Sequence, residues 1–211
     1  MSRRLVLLRH GQTTFNADRR IQGQLDAPLS GEGHHQARVA AAGLAGLDPV
    51  LVWSSDLARA ADTAAYVAEA CGLEAVPDPR LREFHLGERQ GTTHEEYAAA
   101  HPEEHATYLT GRYDVAAGAE PASRVLARMG EVLRELLAAT PAQRCSVAVA
   151  HGAAIKLGIA AMTGCTEEAL VALAPLGNAH RAVLEEGARD GIVRLVAYNL
   201  PPDFASSGDA R

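Results

Sequence analysis

Residues 5–13, Leu-Val-Leu-Leu-Arg-His-Gly-Gln-Thr, are the stretch from which the fold can be worked out. Four apolar residues lead into an Arg-His pair and a glycine, a pattern typical of a buried strand that ends in a turn. The pattern returns at residues 146–152, Ser-Val-Ala-Val-Ala-His-Gly. If both strands lie in one parallel sheet, His10 and His151 emerge at the same edge. Open α/β sheets bind their ligands at that edge, so we expect a site between the two histidines.

The rest of the chain alternates between short apolar runs and segments with helical spacing. The apolar runs predict further strands at residues 50–53, 74–76, 181–185 and 192–198, the last two as a hairpin. Good capping or first-turn residues predict helices that begin at Ser30, at Ser54–Asp56 and at Pro121.

This alternation predicts an α/β protein, a three-layer α/β/α sandwich with a mostly parallel sheet. We expect a single domain at residues 1–200 and a flexible tail at residues 201–211. Within the domain, residues 92–118 have polar helical sequence, broken at Pro102, and we expect them to form a helical cap insertion.

The composition excludes several classes of protein. The 211 residues carry a net charge of −6 and no basic patch, which argues against nucleic acid or a membrane surface as partner. The apolar runs are too short to cross a bilayer, and the N-terminal residues do not resemble a signal peptide. Cys71, Cys145 and Cys165 lack metal spacing, so we expect free thiols and a cytoplasmic protein. The oligomeric state is left open, with a homodimer as one option.

Two arginines each have two interpretations. Arg9 either forms a surface ion pair beside an ordinary turn histidine, His10, or belongs to a site with it. Arg59 lies three residues after Asp56 in the first turn of a helix, where a cation opposes the helix dipole. Either Asp56 or Asp62 neutralises Arg59 locally, or Arg59 faces an anion that the helix end also favours.

Together with His151 and Glu83, these residues form a set suited to phosphoryl transfer. Two guanidinium groups can grip the phosphoryl oxygens, and a neutral imidazole can attack phosphorus. A carboxylic acid can protonate the leaving oxygen and then act as base on the attacking water. A second histidine, protonated, would add a donor where charge spreads in the transition state.

Four ordered motifs resemble the histidine phosphatase superfamily, also called the phosphoglycerate-mutase-like superfamily, from Leu5 to about Asn199. The matching segments are residues 9–13 with 16, 22–23 and 29–37, residues 54–64 around Arg59, Leu81-x-Glu83-x-x-x-Gly87-x-x-x-Gly91, and Ala150-His151-Gly152. The chain departs from many relatives at residues 118–121, where Gly-Ala-Glu-Pro replaces Gly-Gly-Glu-Ser. Loss of that serine leaves the capping of the next helix unexplained.

The resemblance implies a phosphoglycerate-mutase-like fold and a metal-independent phosphomonoesterase that acts through phosphohistidine on a small phosphorylated metabolite, without a cofactor. It implies that His10 is the phosphorylated nucleophile and Glu83 the proton donor. The phosphate pocket that it implies is completed by Arg9, Arg59 and His151, and lined by Asn16, Gln22 and Gly23. His85, two residues after Glu83, is a further candidate substrate contact.

The main alternative within the same fold is a cofactor-dependent phosphoglycerate mutase, which must bind a substrate with two separated anions. Residues 90–123 contain one basic residue, Arg112, and would make an electrostatically poor second anion site. Their six acidic residues are Glu95, Glu96, Glu103, Glu104, Asp114 and Glu120. This charge favours a phosphatase for single phosphomonoesters of neutral or singly charged polyols or sugars.

Two alternatives from other classes are less favoured. His10, His151 and Glu83 have the composition of a two-His, one-carboxylate metal site, but two arginines at the same spot would repel a dication. A non-enzymatic binding module of this fold is also disfavoured, because every catalytic position is present.

The remaining histidines have less specific surroundings in the sequence. We expect His34, His35, His94, His101 and His105 to be solvated surface residues, and His180 to be structural. Residues 20–26 and 82–87 resemble actinobacterial phosphatases of the same family, one group of which acts on glucosyl-3-phosphoglycerate.

Overall fold

Six strands form one central sheet in the computed structural model, which describes residues 2–166 and 168–204. In chain order the strands are β1 (Arg3–Arg9), β2 (Val52–Ser54), β3 (Ala75–Pro77), β4 (Cys145–Ala150), β5 (Arg181–Glu186) and β6 (Val193–Leu200). Across the sheet their order is β3-β2-β4-β1-β5-β6. The pairs β3–β2, β2–β4 and β4–β1 are parallel, whereas β1–β5 and β5–β6 are antiparallel. The expectation of a mostly parallel sheet is confirmed.

The helices cover both faces of the sheet. They are α1 (Thr14–Ala17), α2 (Gly31–Ala45), α3 (Ala58–Cys71), α4 (His94–Ala100), α5 (Pro102–Leu109), α6 (Ala122–Ala139) and α7 (Gly152–Thr163). Alternate residues of β1 point to opposite faces: Leu5 and Leu7 pack in the core with α6 and α7, whereas Val6 and Leu8 pack with α2 and α3. The expected three-layer α/β/α sandwich is confirmed.

The register of the two central strands brings the two histidines together. In the parallel pair β1–β4, Arg9 lies opposite Ala150, so His10 and His151 follow at the same edge. The backbone N–H of His10 donates to the carbonyl of Ala150 at 3.1 Å. The repeated strand-His-Gly pattern therefore marks two neighbouring parallel strands whose histidines lie at one edge of the sheet, as predicted.

The start of α3 is capped differently from the prediction. Its N-cap residue is Leu57, and the N–H of Ala58 donates to the Asp26 carboxylate at 2.9 Å. Of the three predicted caps, Asp56 instead forms an ion pair with Arg82, and Ser55 Oγ accepts from the N–H of Leu57 at 3.3 Å. The prediction was wrong because the cap comes from a residue 32 positions earlier in the chain, which local sequence cannot show.

The first backbone N–H of α6 is also bonded by a side chain from outside the helix. Pro121 is the N-cap residue and makes no side-chain cap bond, but the N–H of Ala122 donates to an Asp114 carboxylate oxygen at 3.2 Å. Asp114 thus satisfies one of the free N–H groups at the start of α6. The expected break at Pro102 is confirmed, because α4 ends at Ala100 and α5 begins at Pro102.

The end of the chain is partly outside the described residues. Of the predicted flexible tail, residues 205–211 lie outside them, and Phe204 accepts a hydrogen bond from Arg181 through its carbonyl. The three cysteines are free, as expected. Within the described ranges, none of the helices has the length and hydropathy that a membrane crossing requires.

Candidate active site

A cavity of about 150 Å³ opens at the carboxyl edge of the sheet, beside the end of β1. Seven of the predicted site residues line it: Arg9, His10, Asn16, Gln22, Gly23, Arg59 and Glu83. They come from the end of β1 and the residue after it, from α1, from the loop before α2, from the first turn of α3 and from the loop before α4. The fold therefore gathers residues that are 74 positions apart between Arg9 and Glu83 into one small space.

The hydrogen bonding of His10 determines which ring nitrogen is free. The ring is 2% exposed, and its Nδ1 lies 2.7 Å from the carbonyl oxygen of Gly11. Because a carbonyl only accepts, Nδ1 carries the proton and Nε2 keeps its lone pair. Burial, together with the charges of Arg59 and Arg9, lowers the pKa of His10 well below its usual value of 6.5. His10 is therefore a neutral imidazole with a free nucleophilic nitrogen.

His151 lies directly behind this cavity, with its ring centroid 5.2 Å from that of His10. Arg59 Nε donates to His151 Nδ1 at 3.2 Å, so the other nitrogen, Nε2, carries the proton and donates to Ser55 Oγ at 2.9 Å. Burial, followed by the charge of Arg59, lowers the pKa of His151 well below 6.5. The expectation of a protonated His151 is wrong for this structure, because a proton on Nδ1 would collide with the Arg59 donor.

Arg59 is a buried cation without a bonded carboxylate among the described residues. It is 1% exposed, and its terminal nitrogens donate to the carbonyls of Leu25 at 2.8 Å and Gly23 at 2.6 Å. Burial lowers the pKa of Arg59 to about 10, while the charges of Glu83 and Asp26 oppose that shift. The alternative in which Asp56 or Asp62 neutralises Arg59 is therefore wrong, because neither pairs with Arg59 and Asp56 pairs with Arg82 instead.

Arg9 is a second cation at the cavity; the residue is half-buried, and its Nε is shielded from solvent. One terminal nitrogen donates to the carbonyl of Leu176, and Nε has no partner in the described part of the chain. Burial lowers the pKa of Arg9, opposed by the charge of Glu83. Two guanidinium groups that both face a small cavity and lack a bonded carboxylate form a site for an anion.

Glu83 is the one carboxylate among the residues that line the cavity. It accepts hydrogen bonds from the N–H groups of Ala153 at 3.1 Å and Ala154 at 2.9 Å, at the N-terminus of α7. Arg128 of α6 donates to the Glu83 carbonyl at 3.1 Å and also pairs with Glu120. Two helices therefore hold the loop that carries Glu83 in a defined position beside the arginines.

The predicted substrate contacts have mixed outcomes. Asn16, Gln22 and Gly23 line the cavity as expected. At Gly23 the backbone φ is +54°, a conformation that favours glycine, and a Cβ atom there would press against the Gln90 side chain. His85 does not line the cavity: it is exposed, and its Nδ1 lies 3.1 Å from the carbonyl of Gly118. The structure thus places His85 outside the cavity wall, and its contact with substrate stays a prediction.

The cavity also includes side chains that sequence analysis did not assign to it. Arg20 lines it from the loop before α2, His94 from α4 and Tyr108 from α5. His94 was expected to be an ordinary surface residue. It is exposed, as expected, but it faces the cavity mouth, because α4 and α5 pack over this edge of the sheet. Helical periodicity carries no signal for that placement.

The acidic residues of the cap segment 92–118 and its flank do not line the cavity. Glu95, Glu96 and Glu103 are exposed to solvent, and the carboxylate of Glu104 accepts a hydrogen bond from Tyr97. Asp114 accepts from the N–H of Ala122, and Glu120 pairs with Arg128. The number of acidic residues in this segment therefore does not describe the cavity wall, because the side chains that residues 92–118 present to the cavity are the imidazole of His94 and the phenol of Tyr108.

The geometry gives no support to a metal site. In residues 2–166 and 168–204, no group of three or more His, Cys, Asp or Glu side chains is arranged to hold a metal ion. Both ring nitrogens of His151 are engaged with Arg59 and Ser55, and the Glu83 carboxylate accepts backbone N–H groups. The ligand atoms of His10, His151 and Glu83 are therefore not free to converge on one metal ion.

The two buried imidazoles predict how stability depends on pH. Their pKa values are lower in the folded protein than in the unfolded chain, so below about pH 6.5 the unfolded chain binds more protons. The stability that they contribute is present above pH 6.5 and is lost as the pH falls. Each histidine gives a slope of up to about 1.4 kcal/mol per pH unit in that range.

We therefore expect the free energy of unfolding to be about 2–3 kcal/mol lower at pH 5.5 than at pH 7.5. Urea denaturation at both pH values measures it. His10→Gln and His151→Gln should each reduce the difference by about half. A difference that is unchanged in both variants would contradict the assignment.

Comparisons with known proteins agree with this geometry. A model of the histidine phosphatase superfamily (branch 1) matches residues 5–199. A glucosyl-3-phosphoglycerate phosphatase from Mycolicibacterium vanbaalenii is 42% identical over 183 residues, which are 84% of this chain and 81% of that protein. A probable phosphoglycerate mutase from Serratia proteamaculans is 36% identical over 163 residues, 76% of this chain and 74% of that protein.

The fold of a solved relative is also closely similar. The structure of a mycobacterial glucosyl-3-phosphoglycerate phosphatase in complex with VO3 superposes with a TM-score of 0.88 at 39% identity, covering 94% of this chain and 99% of that one. The family match over residues 5–199 extends from the first strand to the last and spans every motif at the cavity. The family expected from the motifs is confirmed, and the chain belongs to the histidine phosphatase superfamily.

Proposed function

We propose that this protein is a metal-independent phosphomonoesterase that transfers a phosphoryl group from a small phosphorylated metabolite to His10 and then to water. The observation that carries the proposal is the neutral His10, with Nε2 free, beside the half-buried Arg9 and the buried Arg59, neither of which has a bonded carboxylate among the described residues. Those arginines supply the positive charge that a phosphoryl dianion requires, so the reaction needs no metal ion.

The reaction would proceed in two displacements. In the first, His10 Nε2 forms a bond to phosphorus as the phosphorus–oxygen bond to the alcohol breaks, and Glu83 gives a proton to the departing oxygen. In the second, water attacks phosphorus, Glu83 takes the proton of that water, and the bond to Nε2 breaks. Arg9 and Arg59 would hold the equatorial oxygens in both steps. His151 would act by orienting Arg59, to which it is bonded.

The relatives support a narrower substrate class. Because the M. vanbaalenii protein and the mycobacterial structure are named as glucosyl-3-phosphoglycerate phosphatases, we propose glucosyl-3-phosphoglycerate as the first substrate to test. We further treat residues 1–200 as one histidine phosphatase domain with residues 92–118 as its cap, in line with the family match over residues 5–199. Three free cysteines support a reducing, cytoplasmic location.

A phosphate-release assay in the presence of a chelator tests this function. We expect hydrolysis of glucosyl-3-phosphoglycerate at a rate that prolonged incubation with EDTA leaves unchanged within about twofold, because Arg9 and Arg59 already neutralise the phosphate. Recovery of a chelated, inactive enzyme by added zinc or iron would instead support the metal site.

The same preparation distinguishes the mutase alternative, to which the S. proteamaculans relative gives weight. Phosphate release from 3-phosphoglycerate is compared with its interconversion with 2-phosphoglycerate, primed by bisphosphoglycerate. We expect hydrolysis to be faster. If interconversion is faster, the protein is a mutase that uses the same His10 chemistry.

A further inference from the structure

Arg20 is a third arginine in the wall of the active-site cavity, and the proposed reaction gives it no role. One terminal nitrogen donates to the carbonyl of Gly91 at 2.5 Å. Nε and the other terminal nitrogen have no hydrogen-bond partner among the described residues, and neither is shielded from solvent, since the side chain is 38% exposed. The backbone of Arg20 pairs with that of Thr93 in an antiparallel bridge. Arg20 therefore offers two donors to an entering ligand from a fixed position.

A second cavity, of about 380 Å³, adjoins the first between α1 and the start of α4, and we call it the outer cavity. The two cavities share three wall residues, Asn16, Arg20 and His94. Pockets for small molecules usually have volumes of about 300–1,000 Å³, so the 150 Å³ active-site cavity has room for a phosphoryl group and little more. The alcohol part of a substrate therefore extends into the outer cavity, and Arg20 lies where the two cavities meet.

The charges of the active-site cavity leave one positive charge without a counterion when a phosphomonoester binds. In the first displacement Glu83 is protonated and both histidines are neutral, so the charged groups are Arg9, Arg59 and Arg20. The phosphoryl dianion balances two of these three charges. The third charge is balanced by a single negative charge on the alcohol part of the substrate.

The protein's own carboxylates do not fill this role. Glu96 is the one carboxylate within salt-bridge distance of Arg20 among the described residues, at 3.8 Å, and its side chain is 59% exposed. It already accepts a hydrogen bond from the N–H of Thr93 at 2.7 Å. An exposed ion pair of this kind contributes little, so Glu96 leaves Arg20 available to a ligand.

We infer that Arg20 is a specificity-determining residue that binds a carboxylate on the alcohol part of the substrate, where the active-site cavity opens into the outer cavity. The inference rests on the proposed phosphatase function and deepens it. A carboxylate suits Arg20 because its two oxygens can accept from the two available donors and its single charge balances one arginine. Arg9 and Arg59 thus serve the phosphoryl end of the substrate, and Arg20 serves the other.

The test compares two substrates that differ only in this group. In 3-phosphoglycerate a carboxylate replaces the terminal hydroxymethyl group of sn-glycerol 3-phosphate. We expect kcat/KM of the wild-type enzyme to be at least about tenfold higher for 3-phosphoglycerate, because hydrogen bonds to a charged group are strong. Arg20→Gln, which keeps a polar side chain without the charge, should bring the ratio of the two kcat/KM values to within about twofold of one.

Two further variants separate this contact from a general effect of charge. Arg112→Gln removes an exposed arginine of the cap that lines neither cavity, and the preference should remain at the wild-type value. Glu96→Gln keeps an acceptor for the Thr93 N–H but removes the competing charge, so the preference should rise at least about twofold.

Three results would overturn the inference: a wild-type enzyme without the preference, an Arg20→Gln variant that keeps it, or an equal loss of the preference in Arg112→Gln. If Arg20→Gln does not fold, the wild-type ratio and the response to Glu96→Gln decide.

A binding measurement keeps this inference separable from the phosphatase proposal. Calorimetry on His10→Ala should show at least about tenfold tighter binding of 3-phosphoglycerate than of glycerol 3-phosphate, and His10→Ala/Arg20→Gln should bind the two alike. If the preference in binding is present but the wild type hydrolyses no phosphomonoester, the phosphatase proposal fails and the role of Arg20 stands. If the wild type hydrolyses both substrates and His10→Ala binds them alike, the phosphatase proposal stands and the role of Arg20 fails.

Discussion

His10→Ala should lose at least about a thousandfold in turnover and should not form a phosphoenzyme, because the variant lacks the nitrogen to which the phosphoryl group is transferred. In the wild type, brief incubation with radiolabelled substrate should leave a phosphoryl group on His10 that is labile to acid and stable to alkali. The structure places the proton of His10 on Nδ1, held by Gly11, and leaves Nε2 as the labelled atom. Mass spectrometry of the trapped, digested protein locates the label.

A matched variant controls for the loss of an imidazole elsewhere. His35, which is exposed on α2, can be replaced by alanine, and both labelling and turnover should remain at wild-type levels. A phosphoenzyme that survives acid, or His10→Ala with substantial turnover, would exclude phosphohistidine as the intermediate.

The second large effect is expected for Glu83→Gln. If Glu83 protonates the leaving oxygen, its loss should slow alkyl phosphates by about 10²–10⁴-fold. Aryl phosphates with acidic leaving groups need little protonation and should slow less than tenfold. The amide keeps one of the acceptors for the N–H groups at the start of α7, so the loop around residue 83 should stay in place. Steady-state kinetics on the two substrate series measures the difference.

Glu88→Gln is the matched control, because Glu88 is exposed and lies five residues further along the same segment. It should affect both substrate series within about twofold. Equal losses on alkyl and aryl phosphates in Glu83→Gln would mean that another group donates the proton. His94 would then be the next candidate, since it lines the cavity and His85 does not.

The sequence by itself was enough for the scaffold and for the core of the site. Apolar runs that end in His-Gly predict strands whose carboxyl ends meet, and this places His10 beside His151. The motifs also predict Arg9, Arg59 and Glu83, because their chemical types suit a phosphoryl group and the strand order brings them to one edge. These features depend on short-range periodicity and on the topology of parallel sheets, both of which are readable from one chain.

The tertiary structure alone decided what depends on contacts between distant segments. Asp26 caps α3 and Asp114 caps α6 through pairings that no local pattern encodes. The Arg59–His151 hydrogen bond makes His151 neutral, which its sequence neighbours could not indicate. Likewise, the count of acidic residues in the cap did not show which side chains face the cavity. Orientation relative to a neighbouring element depends on packing, and packing is settled only when the whole chain is folded.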